Sequence, residues 1–257
     1  MGITIFNFFN YLDNPIADFC VSKYEHKTIY TLDDLMPEIQ KLKHSKWALE
    51  NNKRSYIGDQ LRLYLASKQD KFLYVDADCF IPDFSKILEN KNCTEYEPNG
   101  RIINNGTFFY SDSNCKFNNY YLEIYDKLPE HLNKNCNYEI FRMFPYELDL
   151  EKRLSGDMKL LTLENKHFLL NLFYRFKDRH PGVDTIYYSR KSIPEIKHPL
   201  VWKIEDCDPY VGVGHLPTKE IWYFETIYKF IPQDDIIRLF KEQMNYTFQK
   251  KLKFVEV

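Results

Sequence analysis

The chain has 257 residues, and its 35 basic and 37 acidic side chains nearly cancel, so charge makes no case for nucleic acid as a partner. No segment reaches the ~20 apolar residues of a membrane span, and the opening Met1-Gly2-Ile3-Thr4-Ile5-Phe6 lacks the basic and apolar regions of a secretory signal. Six cysteines lie scattered without a C-x-x-C pair. That argues against a zinc site or a disulfide framework and for reduced thiols in a cytoplasmic protein.

In chain order, Ile3 to Phe9 reads as a short apolar strand and Lys27 to Tyr30 as another. Thr31 is placed to cap a helix running to about Leu42, with Asp33 and Asp34 in its first turn. Ser55 to Lys68 is the clearest helix: Ile57, Leu61, Tyr64 and Leu65 recur at helical spacing, and Ser55 is a fitting N-cap. Phe72-Leu73-Tyr74-Val75 is an uninterrupted apolar run that predicts a buried strand. From Pro82 to Gly100 the pattern is irregular. Strand signals return at Ile102-Ile103 and Thr107 to Tyr110, separated by Asn104-Asn105-Gly106, which has the form of a hairpin turn. Asn118 to Leu128 has helical spacing, and Gly156 to Phe176 reads as one long helix or two, with Asp157 in the first turn. Thr185 to Tyr188 is a strand candidate. Gln233 to about Leu252 predicts a terminal amphipathic helix with Ile236, Ile237, Phe240 and Met244 on one face. Alternation of strands and helices in the first half predicts an α/β fold around a central, partly parallel sheet. The second half is more helical.

The Phe72–Val75 run ends in Asp76-Ala77-Asp78. In open α/β sheets, ligands bind at the carboxyl ends of strands. Two carboxylates there, on one face if the strand continues regularly, offer hard oxygens to Mn²⁺ or Mg²⁺ and leave the remaining positions to substrate phosphates. Upstream, Asp59 and Arg62 lie three residues apart on one face of the predicted helix. By spacing alone they form an ordinary surface ion pair.

The block Ser55-Tyr56-Ile57-Gly58-Asp59-Gln60-Leu61-Arg62-Leu63-Tyr64-Leu65, a turn, then Tyr74-Val75-Asp76-Ala77-Asp78-Cys79-Phe80-Ile81-Pro82 resembles the DXD sugar-binding region of small GT-A glycosyltransferases. That group includes capsular-polysaccharide glycosyltransferases and yeast-type initiating mannosyltransferases. Asp59, Arg62, Tyr64, Asp76, Asp78 and Pro82 carry the match, with the Tyr displaced by one place and Asp70-Lys71 standing where the family has Gly-Gly. The resemblance implies a single GT-A-like, Rossmann-like domain over residues 1–257, with a mixed, mostly parallel sheet flanked by helices. It implies a metal-dependent transferase moving a sugar from a UDP- or GDP-sugar donor to a glycan, lipid-linked or protein acceptor, with retention by analogy. By the resemblance Asp78 holds the metal, Asp76 shares it and lies toward the ribose or sugar, and Asp59 and Arg62 orient the donor sugar and support the acid pair.

Near the other end, Gly212-Val213-Gly214-His215-Leu216-Pro217-Thr218-Lys219-Glu220-Ile221-Trp222 is similar to a C-terminal H-x-x-G-x-x-K-P-W segment of related GT-A families. By that likeness His215 joins the metal ligands and Lys219 meets the diphosphate. Asn105 is a further donor-pocket candidate, and Asp157 or Glu139 an acceptor-side one. Two other readings compete: a metal-dependent phosphatase or phosphotransferase using Asp76 and Asp78, and a non-catalytic glycan-binding or scaffolding protein on the same fold. Lys241, Lys250, Lys251 and Lys253 beside aromatics offer peripheral contact with an inner membrane surface, though such a helix more often packs on its own core.

Overall fold

The structure is a computed structural model that describes residues 2–81, 83–95, 108–127, 157–161, 182, 184–189, 201–204 and 232–256. Strands are β1 (Ile3–Phe6), β2 (Lys27–Tyr30), β3 (Phe72–Val75), β4 (Cys93–Glu95), β5 (Phe108–Ser111), β6 (Lys159–Leu161), β7 (Thr185–Ser189), β8 (Val201–Ile204) and β9 (Lys253–Glu256). Helices are α1 (Pro15–Ser22), α2 (Met36–Lys41), α3 (Lys43–Glu50), α4 (Arg54–Ala66), α5 (Ser85–Leu88), α6 (Lys116–Lys127) and α7 (Gln233–Phe248). They fall into two compact units, Met1–Asp13 with Cys20–His167, and Asn14–Phe19 with Phe168–Val257.

The first unit is built on a six-stranded mixed sheet in the order β2-β1-β3-β5-β4-β6. The β1–β2, β1–β3 and β4–β6 pairs are parallel, while β5 runs antiparallel to both β3 and β4. Every residue of β1, β3 and β5 is buried. Strands covered on both faces read as unbroken apolar runs, and for that reason β3 stands out in the sequence. By contrast β2 is an edge strand and is largely exposed. The core joins Phe6, Ile57, Leu61, Phe72, Tyr74, Phe109, Phe117 and Tyr121, with α3, α4 and α6 packed on one another and α4 also on β3 and β5.

Helix α4 is buried nearly all round: Tyr56, Ile57 and residues 59–63 are all inside. Polar members of that stretch are therefore paired internally. Gln60 Oε1 accepts from Ser45 N–H at 2.9 Å and Ser45 Oγ–H at 3.0 Å, and Gln60 Nε2 donates to Asp126 Oδ1 at 2.9 Å. One amide thus ties α4 to α3 and α6. His44 is a core histidine between Trp47, Tyr56 and Tyr125, and burial pushes its pKa down to about 3.

Several elements differ from the sequence reading. Helix α4 starts at Arg54 with Lys53 as its cap residue, so Ser55 lies inside the helix. The helix expected from Thr31 to about Leu42 is instead a 3₁₀ turn, Asp33–Leu35, followed by α2. Thr31 still acts at its start, since Thr31 Oγ1 accepts from Asp34 N–H while Asp34 Oδ2 accepts from Thr31 N–H at 2.8 Å, a reciprocal capping box. The irregular stretch after Pro82 contains α5 and β4. The long helix expected from Gly156 begins instead as a turn and β6, because residues 159–161 pair with 93–95; residues 162–176 lie outside the described residues. Asp157 takes its role from that turn: its Oδ2 accepts Phe117 N–H at 3.0 Å and caps α6 from a distant part of the chain.

In the second unit β7 lies between antiparallel β8 and parallel β9. Helix α7 buries Ile237, Phe240, Met244 and Phe248, then stops at Gln249, whose φ of 52° turns the chain into β9. The helix therefore ends short of Leu252, and Lys253 lies on a strand; the Ile236 side chain lies outside the described residues. Asn14 Oδ1 accepts from Ile16 and Ala17 N–H at 3.0 and 3.2 Å, an N-cap followed by proline at the first helical position. Among the described residues no helix is long and apolar enough to cross a membrane.

Phe109 is fully buried in β5 and faces Phe117. Phe109→Ala is expected to destabilise the protein by ~3–5 kcal/mol. Asp157→Ala is expected to cost ~1 kcal/mol through the lost cap. Urea unfolding of each variant measures both.

Candidate cation site

Strands β1 and β3 are parallel neighbours, yet the chain leaves β1 for β2 on one side while β3 lies on the other. Their carboxyl ends flank the crevice where such sheets bind ligands. Asp76 follows the last residue of β3. The strand does not continue through the acids, as the sequence reading required for a shared face. Instead the chain turns, with Cys79 N–H donating to the Asp76 carbonyl at 3.0 Å. The turn does what strand alternation was expected to do and adds a third group: ligand atoms of Asp76, Asp78 and Cys79 all lie within 4.8 Å of one another.

Beneath Asp76 runs a buried relay. Tyr74 Oη donates to Asp76 Oδ1 at 2.6 Å. Burial first, and then the Asp76 charge, hold the Tyr74 phenol well above its ordinary pKa, so it stays a donor. The Arg62 guanidinium stands 4.7 Å over the Tyr74 ring, in cation–π range. Arg62 Nη2 meets Asp59 Oδ1 at 2.6 Å, with the two side chains 5% and 8% exposed. The pair is therefore not the surface contact that spacing alone implied. Burial opposes the Arg62 charge, but Tyr74, Asp59 and Asp76 outweigh it and hold its pKa above the usual range.

From the β1 side, the 3₁₀ segment Phe8–Asp13 brings Tyr11 across, and its hydroxyl donates to Asp78 Oδ2 at 3.2 Å. Phe9 and Asn10 are both left-handed, with φ of 58° and 59°, a conformation rare for a bulky side chain. Asn7 Oδ1 accepts Leu12 N–H at 2.9 Å and holds the segment in place. Behind the acids, Tyr24 Oη donates to the Cys79 carbonyl at 2.8 Å and accepts Ile81 N–H at 3.1 Å, fixing the backbone just past the turn.

Burial first, then the neighbouring Asp76 charge, raise the Asp78 pKa from 3.8 to about 7. Asp78 retains some surface, which moderates that shift through solvent screening. A like-charge pair held this close is relieved by a proton or by a cation. The donor set is hard oxygen from two carboxylates, each already oriented by one phenol, and it fits a divalent ion such as Mn²⁺ or Mg²⁺.

Of the residues singled out from sequence, Asp76 and Asp78 come together, and Asp59 and Arg62 connect to them through Tyr74. Tyr64 does not join this group: its ring lies under Lys68, 5.4 Å from the ammonium. Pro82, Asn105, Glu139, His215 and Lys219 lie outside the described residues. Sequence reasoning missed Tyr11, Cys79 and the role of Tyr74. Only Tyr74 carried a signal, being two residues before Asp76 and so on its side of the strand.

Asp78 binds its proton more tightly folded than unfolded. Its protonation therefore favours the folded chain at low pH, and that contribution is lost as the pH rises through about 7. Urea unfolding in chelator is expected to show Asp78→Asn gaining stability over wild type at pH 8 but not at pH 4. Separately, Arg62→Met leaves Asp59 buried without its counter-charge and is expected to cost ~3–5 kcal/mol, part of which Asp59→Leu restores in the double variant. Compared with known proteins, the chain matches no family model, no curated protein and no solved structure.

Proposed function

We propose that this chain is a divalent-cation-dependent glycosyltransferase of the GT-A type, taking a sugar from a UDP- or GDP-sugar. The observation that carries the reading is the acid pair Asp76–Asp78 at the carboxyl end of β3, beside the carboxyl end of β1, with its carboxylates within reach of one ion. The mixed sheet, with β3 central and an antiparallel strand at its side, supports it. So do Asp59 and Arg62, which stand directly under Asp76 through Tyr74.

A cation held by Asp76 and Asp78 supplies a Lewis acid for the charge that grows on the departing nucleoside diphosphate. The chain's own residues prepare the place. Tyr74 and Tyr11 each engage one oxygen of an acid and leave the other without a phenol on it. Arg62, paired with Asp59, packs on the Tyr74 ring and brings its positive charge toward Asp76. In the same reading His215 joins the cation ligands, Lys219 and Asn105 meet the donor, and the acceptor is a glycan, a lipid-linked sugar or a protein. Retention of configuration follows by the resemblance alone.

Melting temperature followed with Mn²⁺ and UDP or GDP tests the reading. Both together are expected to raise it more than either alone, since ligand at 100-fold its Kd adds about 2.7 kcal/mol. Asp78→Asn is expected to abolish that gain and to cut donor hydrolysis at least ~100-fold. A response to phosphate mimics without nucleotide instead points to phosphoryl transfer, and no response to any of them to a scaffold. Either result overturns the proposal.

A further inference from the structure

The turn that gathers Asp76 and Asp78 also places a sulfur beside them. Cys79 Sγ lies 4.0 Å from Asp78 Oδ1 and is fully buried. Neighbouring sulfur and oxygen ligands of one small ion stand roughly 3.6 Å apart, given metal–ligand lengths near 2.3 and 2.1 Å. A small side-chain rotation closes the difference. The backbone of Cys79 is held at both ends: its N–H donates to Asp76 at 3.0 Å and its carbonyl accepts from Tyr24 at 2.8 Å. With the backbone fixed, rotation about χ1 is the one motion left to the sulfur, and the ligand atoms of both acids lie within 4.8 Å of it.

We propose that Cys79 Sγ is a third protein ligand of the cation site, and that it tilts the site from Mg²⁺ toward borderline ions of the Co²⁺, Zn²⁺ and Cd²⁺ kind. The inference rests on the acid-pair reading and deepens it by assigning the class of ion. Two carboxylates alone suit Mg²⁺ or Mn²⁺, whereas a thiolate favours softer ions. Coordination forms an Sγ–metal bond, breaks the Sγ–H bond and releases that proton to solvent. A sulfur that merely fills space contributes as a small apolar group and leaves the choice of ion to the oxygens.

The test is titration of the full-length, metal-free chain with Co²⁺, read by absorption and calorimetry, together with Cd²⁺ and Mg²⁺ affinities. Wild type is expected to show sulfur-to-cobalt charge-transfer absorption at one equivalent and to bind Cd²⁺ at least ~10-fold more tightly than Mg²⁺. Cys79→Ser and Cys79→Ala are expected to lose the absorption and the Cd²⁺ preference while keeping Mg²⁺ affinity; Cys93→Ser, at a thiol away from the acids, is expected to keep both. Alanine serves as the second variant because it adds no buried hydroxyl. Cobalt binding that depends on Asp78 but carries no charge-transfer band in wild type overturns the role of Cys79 and leaves the acid pair standing. A band that survives in either Cys79 variant overturns it equally. Cobalt binding indifferent to Asp78→Asn overturns the cation site itself, and Cys79 falls with it.

Discussion

Two carboxylates of the same sign, set close together where a buried strand surfaces, are the constraint on which the first unit turns. Left alone, such a pair drives one member to take up a proton: burial first, and then the Asp76 charge, raise the Asp78 pKa to about 7. The surrounding protein does not remove the repulsion. It directs it, with a phenol on one oxygen of each acid and an arginine one ring away. Arg62 is itself kept charged inside the protein by Asp59. Removing Asp59 or Arg62 takes the counter-charge from the other inside the protein, which is costly in a low-dielectric interior.

The sheet supplies the frame for this arrangement. Parallel β1 and β3 deliver the Tyr11 segment and the acid turn to the same edge, while antiparallel β5 and the α3–α4–α6 layer cover β3 and the two acids past its end stay partly exposed. Helix α4 has two duties. Its apolar residues fill the core, and its Asp59 and Arg62 reach toward the strand that ends in the acids. Gln60, between them in sequence, braces the helix against its neighbours.

How much of this was legible depended on how local each cause was. Strand β3 was plain because burial on both faces leaves a continuous apolar run, and the acids were plain from their place after it. The same burial hid other things. Helix α1 is buried on most of its circumference, so no helical stripe marked it, although Asn14-Pro15 had the form of a helix start. The burial of Asp59–Arg62 was invisible for a related reason: spacing shows which residues share a face, not what covers that face. Strand β6 is three residues long and owes its conformation to pairing with β4, more than sixty residues earlier, so Asp157 was read as opening a helix. Cys79 lay in plain view, but its distance from the acids is a property of a turn, and the sequence reading considered only a strand continuing through the acids.

The left-handed pair Phe9–Asn10 carries a consequence for anyone who re-engineers this chain. That conformation costs a bulky residue such as Phe9 about 1–2 kcal/mol and an asparagine less, so the segment that carries Tyr11 between β1 and α1 is held in a backbone shape its residues rarely choose. Glycine at either position adopts this backbone without strain, yet its wider freedom also lets the segment leave that shape, which holds the Tyr11 hydroxyl less firmly on Asp78. Stability gained there is taken from the grip, and a library screened for thermal tolerance alone selects against the site.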